Sequence, residues 1–180
     1  GWKLKIGSSE KDFENVFIEA NGYLILGNDE AAGDFLFNGP FYGFSSFALT
    51  NAGQILVLQN PDGAAISVVS YTDEWYGDPN KDEGGWSLEQ IDPSNPCGGI
   101  NNWRASVSQS GGTPGAENSV DASNPDNIHP YASRVEISDS ASLILRFSEP
   151  MDSTSLFDVM AYEINNDIGT PAFVHPIGPA

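Results

Sequence analysis

Asp78, Asn80 and Asp82 stand at alternate positions, and Glu89 follows eleven residues after Asp78. These are the first, third, fifth and twelfth places of a calcium loop, whose oxygen ligands suit a hard cation. The sixth place holds Glu83, where such a loop needs glycine for its turn. No flanking helices can be read, and Glu89 falls inside an expected strand, Trp86–Ile91. The expectation is a solvated acidic turn whose backbone is shaped by Asp-Pro and Gly-Gly, with no metal site and no cofactor.

The four tryptophans, Trp2, Trp75, Trp86 and Trp103, are the second candidate set. Exposed aromatics can stack on sugar rings, whereas buried ones fill a core. Trp2 and Trp86 lie in alternating strand patterns and are expected in the core. Trp75 and Tyr76, beside a glycine and two acids, are the pair expected at the surface.

His129 and His175 each precede a proline, which restricts the residue before it to extended conformations and marks loop edges. Neither has the neighbours that catalysis or zinc requires. Cys97 sits in a turn of Pro96, Gly98 and Gly99 with no basic residue or histidine nearby in sequence, and as the sole cysteine it excludes an internal disulfide. Gly111-Gly112-Thr113-Pro114-Gly115 lacks the lysine of a phosphate loop and reads as a rigid turn ending a domain. Paired carboxylates are too plentiful for spacing to single out an acid–base couple. No catalytic residues are expected, so the chain reads as a non-enzyme.

These sites must be positioned by strands. Trp2, Leu4 and Ile6 alternate with Lys3 and Lys5, the pattern of a half-buried strand. Tyr23–Leu26 and Ile55–Leu58 are short apolar runs suited to strands covered on both faces. Asn60-Pro61-Asp62-Gly63 places proline second and glycine fourth, as a type I turn prefers, which predicts a hairpin of Gln54–Gln59 and Ala65–Tyr71. Helical periodicity is nearly absent. With 19 glycines and 12 prolines, the pattern points to an all-β sandwich or barrel.

The run from Asn118 to Asn127 is polar and lacks aromatics, and the linker is placed at 120–130. Strands resume beyond it. Val135 and Ile137 share a face of one strand; Leu143, Leu145 and Phe147 share a face of the next. Ser148-Glu149-Pro150-Met151-Asp152 breaks the pattern.

A chain of 180 residues holds one large or two small domains, and 39% hydrophobic residues suffice for a core. Acidic residues outnumber basic ones 25 to 7, for a formal charge of −18. That balance argues against nucleic acid, which needs a cationic footprint, and against anionic lipid. No apolar run is long enough for a membrane span. The chain opens Gly1-Trp2-Lys3 without a methionine or signal-peptide pattern and is expected to be a processed or excised piece.

Several motifs in fixed order resemble a lamin-tail domain of the bacterial, secreted type over residues 1–119. They are Gly1-Trp2-Lys3-Leu4, Gly22 to Leu26, Phe47 to Gly53, Leu58 to Gly63, Trp75-Tyr76-Gly77-Asp78 and Gly85-Trp86-Ser87-Leu88-Glu89. Pro96-Cys97-Gly98 and Asn102-Trp103 follow them. Residues 131–180 resemble part of a bacterial immunoglobulin-like domain, through Val135-Glu136-Ile137, Leu143 to Asp152 and Ala161-Tyr162-Glu163-Ile164.

The resemblance implies an immunoglobulin-like β-sandwich followed by a partial second β module. In that family strands precede the Gly-Trp, and they are expected to be missing from this piece. The pairing they would supply is expected from the tail beyond residue 130 or from a neighbouring chain by strand exchange. The resemblance further implies a non-catalytic binding or spacer module, extracellular or at a bacterial cell surface. Its expected partner is a protein or glycan; the alternative is a carbohydrate-binding accessory module using Trp75 and Tyr76, assisted by calcium.

Overall fold

Proline fixes the second position of the Asn60–Gly63 turn, and the Asn60 side chain closes it. Its Oδ1 accepts from the N–H groups of Asp62 at 3.0 Å and Ala64 at 2.9 Å. Gly63 donates to the Asn60 carbonyl at 3.0 Å with φ of +84°, a left-handed geometry that favours glycine. The turn joins β5 (Gly53–Gln59) to β6 (Ala65–Thr72) in antiparallel register, with Val57 opposite Val68. The hairpin predicted from proline and glycine is therefore present, its strands extended by a residue at either end.

β5 is half-buried throughout because it lies inside a four-stranded sheet, in the order β2 (Ser9–Asp12), β1 (Lys3–Ile6), β5, β6. β1 pairs with β5 on one side and with β2 on the other. Leu4 and Ile6 point into the core, while Lys3 and Lys5 bridge to Glu10 and Lys3 also reaches Asp12. Trp2 departs from its expected place in the core, being 44% exposed. The pairing of β1 with β5 ends at Lys3 opposite Gln59, so no strand covers the indole one residue further out.

The structure is a computed structural model that describes residues 1–149, 151, 156–175 and 177. It is β-rich and divides into two units, Gly1–Pro125 and Asp126–Ala180. In the first unit the four-stranded sheet is joined by two small ones. β3 (Ile25–Asn28) and β4 (Phe41–Phe44) run parallel, linked through a 3-10 turn at Asp29–Phe35. Asn28 caps that turn by accepting from the Glu30 N–H. β3 thus begins two residues later than the apolar run at Tyr23. Phe13, Tyr42, Phe44 and Phe47 pack ring against ring with centroids 5.1–5.8 Å apart, mostly tilted or edge-to-face and stacked only between Phe44 and Phe47, an aromatic cluster around β4.

β7 (Leu88–Gln90) and β8 (Trp103–Ala105) form the third sheet, with Glu89 opposite Arg104. β7 is shorter than the Trp86–Ile91 run, but its ladder continues at both ends: Ser106 donates to Ser87, and Ile91 donates to Asn102.

In the second unit β9 (Ala132–Asp139) pairs with β10 (Ser142–Phe147), Val135 facing Leu145 and Ile137 facing Leu143. These four residues make one apolar face. Ile137 on it is 82% exposed, because a two-stranded ribbon has no second layer of its own. On the other face Glu136 lies between Arg134 at 3.2 Å and Arg146 at 2.8 Å. Of the segment expected to break the strand pattern, Pro150 and Asp152 lie outside the described residues.

Candidate functional site

The most deeply sealed side chains are polar. Among the described residues Asn102 and Ser106 are the largest fully buried ones, and the Glu89 carboxylate retains 3% exposure. A strand alternates its faces, so Ser87, Glu89 and Ile91 turn inward together. An ionised carboxylate taken from water must be compensated by charge or hydrogen bonds. No ion pair to Glu89 exists among the described residues.

Hydrogen bonds compensate it instead. Oε1 accepts from Ser87 Oγ at 3.1 Å and Thr113 Oγ1 at 2.8 Å. Oε2 accepts from the Ser119 N–H at 2.8 Å and from Ser119 Oγ at 2.6 Å. Because the one Ser119 hydroxyl proton goes to Glu89, the 2.9 Å contact between Ser106 Oγ and Ser119 Oγ has Ser106 as donor. Burial pushes the Glu89 carboxyl up, but the hydroxyls of Ser119 and Thr113 and the Ser119 amide outweigh it. The group is held below the ordinary carboxyl value. With its lone pairs engaged by four donors inside the fold, Glu89 is placed neither to take a substrate proton nor to ligate a cation.

A second polar network lies beside it. Asn102 Oδ1 accepts from the Asp92 N–H at 2.9 Å and Asn124 Nδ2 at 3.0 Å. Asn102 Nδ2 donates to the carbonyls of Asp92 at 2.7 Å and Asn95 at 2.6 Å. Asp92 Oδ2 holds the Asn124 N–H at 2.8 Å, and its carboxyl is lowered chiefly by that bond. Asn118 Nδ2 reaches the Gln90 carbonyl, Ala122 donates to that of Ile91, and Val120 is buried. The polar stretch that reads as a linker is therefore a strap bound along β7 as far as Asn124.

Trp75 and Trp86 are both half-buried, which is neither the surface place expected of the first nor the core place expected of the second. Trp75 is half-buried, its ring 6.1 Å from that of Trp103. Tyr76 is half-buried too, its hydroxyl donating to the Trp86 carbonyl at 3.1 Å, and burial pushes its phenol up. The 3-10 turn Asp73–Tyr76 folds both inward against β8, so the surface pair expected at Trp75 and Tyr76 is a packed one. Trp86, expected in the core, lines an open cleft of about 700 Å³ with Ser87, Ser110, Gly112 and Thr113. Lys81 sits over its indole, 4.2 Å from the ring centroid, and donates to the Ser106 carbonyl at 2.7 Å.

The calcium-loop residues do not converge. Asp78 Oδ1 accepts from both the N–H and the side-chain amide of Asn80, which hold its carboxyl low. Glu89 is committed to the interior. Asp73, Glu74, Asp78 and Asp82 line a small cleft, yet no group of three His, Cys, Asp or Glu able to hold a metal occurs among the described residues. His129 and His175 are exposed, and Cys97 is half-buried. No helix among the described residues is long and apolar enough to cross a membrane.

Ser106 and Ser119 belong to no motif, and Ser87 and Thr113 stand in the Gly85–Glu89 and Gly111–Gly115 runs without anything there that marks them as partners of a carboxylate. Their only trace is a glutamate on the same strand face as Ile91, which requires donors from somewhere. No family model matches this chain, and neither a curated protein nor a solved structure matches it.

Proposed function

We propose that the chain is a non-catalytic binding and spacer module of an extracellular or cell-surface protein. Residues 1–119 are taken as an immunoglobulin-like sandwich of the lamin-tail kind and 131–180 as part of a second such module. A protein or glycan at the cell surface is the partner. Binding runs through loops, or through pairing at a free strand edge, including exchange with a second copy.

One observation carries this reading. The side chains best equipped for chemistry, Glu89, Ser106 and Asn102, are enclosed and spent on one another and on the backbone. A nucleophile or base has to reach a substrate, and these cannot. The β-rich architecture and the excess of 25 Asp and Glu over seven Lys and Arg agree with a binding role away from nucleic acid.

Incubation with chromogenic esters, glycosides and phosphodiesters, with millimolar divalent cations added, tests it. No turnover above background is expected. Turnover that disappears in a folded Glu89→Gln variant would overturn the reading.

A further inference from the structure

The open cleft beside Trp86 has a chemical character set by the carboxylate beneath it. Ser87 and Thr113 both line the cleft, and their hydroxyls both give their only proton to Glu89 Oε1. Ser110 Oγ, on the same wall, gives its proton to the Gly112 carbonyl at 2.8 Å. A hydroxyl whose proton is spent offers only lone pairs. The cleft therefore presents three acceptors and asks for a ligand that brings donors.

Two of those acceptors bond to one carboxylate oxygen, so they lie within about 6 Å of each other. That spacing suits neighbouring hydroxyls on a single ring. Trp86 lines the same cleft, and the part of its indole that the overlying Lys81 ammonium leaves uncovered supplies an apolar aromatic surface. An aromatic plate next to clustered hydroxyl acceptors fits a sugar, which has an apolar C–H face rimmed by O–H groups. A metal ion is a poorer fit, since no carboxylate is among the residues lining the cleft and both oxygens of Glu89 are already occupied. Bare backbone is also needed here: a Cβ on Gly112 would stand 2.8 Å from Ser87 Oγ.

We propose that this cleft, bounded by Trp86, Ser87, Ser110, Gly112 and Thr113, is a binding subsite for a neutral saccharide. The proposal rests on the binding-module reading above and moves the site away from Trp75 and Tyr76. The sugar ring stacks on Trp86 and donates two hydroxyls to Ser87 and Thr113. Glu89 acts from behind as a positioning residue, fixing the direction of both acceptors.

Affinity electrophoresis of the full chain through gels carrying hydroxyethylcellulose, xylan or laminarin tests it. Retardation is expected in at least one gel. Gly112→Ala crowds Ser87 and is expected to weaken it about tenfold, and Ser110→Ala, which leaves the Glu89 cluster untouched, about threefold. Trp75→Ala is expected to bind as the unaltered chain does, and tryptophan emission checks that each variant is folded. Retardation in none of the three gels overturns the proposal, as does retardation equal in the unaltered chain and both cleft variants. An unretarded protein that also turns over no substrate defeats the saccharide site alone; turnover lost in Glu89→Gln defeats the non-catalytic reading itself.

Discussion

Replacing Glu89 separates the contribution of a buried charge from that of its hydrogen bonds. In Glu89→Ala the Ser119 N–H loses its acceptor, and an orphaned buried amide costs about 1–3 kcal/mol. The space left by the removed side chain adds about 1–2 kcal/mol through lost contacts. The three hydroxyls can turn toward one another, and the cost of burying the charge is recovered. The net loss expected is about 3 kcal/mol.

Glu89→Gln keeps the volume. Its carbonyl can face Ser119, and its NH₂ can donate to Ser87 and Thr113, whose hydroxyls rotate to accept. A loss of about 1 kcal/mol is expected. Urea unfolding followed by tryptophan fluorescence reads this directly, because all four tryptophans lie in the Gly1–Pro125 unit. The folded carboxyl sits below its ordinary value, so its stabilisation is present above the unfolded pKa and fades as pH falls through the folded one. The unaltered chain should lose stability on acidification more steeply than Glu89→Gln. An alanine variant within 0.5 kcal/mol of the unaltered protein, or a glutamine variant as damaged as alanine, would refute the reasoning; 0.5 kcal/mol is roughly the spread of a neutral surface change.

Asn102→Ala should cost about 2–4 kcal/mol by the same unfolding assay, since four bonds of a fully buried amide vanish. Asn102→Asp, equal in shape, should fare no better, because a carboxylate oxygen would face the carbonyls of Asp92 and Asn95. Burial, followed by the adjacent Asp126, pushes the Glu149 carboxyl up, so its contribution favours folding at acid pH and is lost as pH rises through the folded pKa. Glu149→Gln should flatten that dependence, read from amide hydrogen exchange in β9 and β10. Millimolar calcium should leave the melting temperature unchanged and give no calorimetric heat; a rise of several degrees that Asp78→Ala abolishes would show the acidic turn to be a cation site.

Local signals predicted what local physics decides. The Asn60–Gly63 turn was legible because proline and glycine act on their own backbone, and the β5–β6 hairpin followed from it. The alternation of Leu4 and Ile6 with two lysines gave the correct faces of β1, since strand periodicity needs no partner. The same alternation misplaced Trp2, because burial depends on whether a neighbouring strand reaches that far. The polar run from Asn118 read as a linker, since composition shows only that its side chains like water. The boundary between the two units, after Pro125, falls inside it, while up to Asn124 it is a strap whose asparagines satisfy the backbone of β7 and the turns around it.

The candidate site divides along the same line. The sequence by itself determined a β-rich chain, an anionic surface and strand residues that alternate at Glu89. Only the tertiary structure decided that Glu89 faces inward, that Trp75 and Tyr76 pack while Trp86 lines a cleft, and that serines far apart along the chain share one carboxylate. The reason is range. Turns and strand faces are set by neighbours in the chain, whereas the protonation, burial and exposure of a side chain are set by groups that sequence spacing does not bring together.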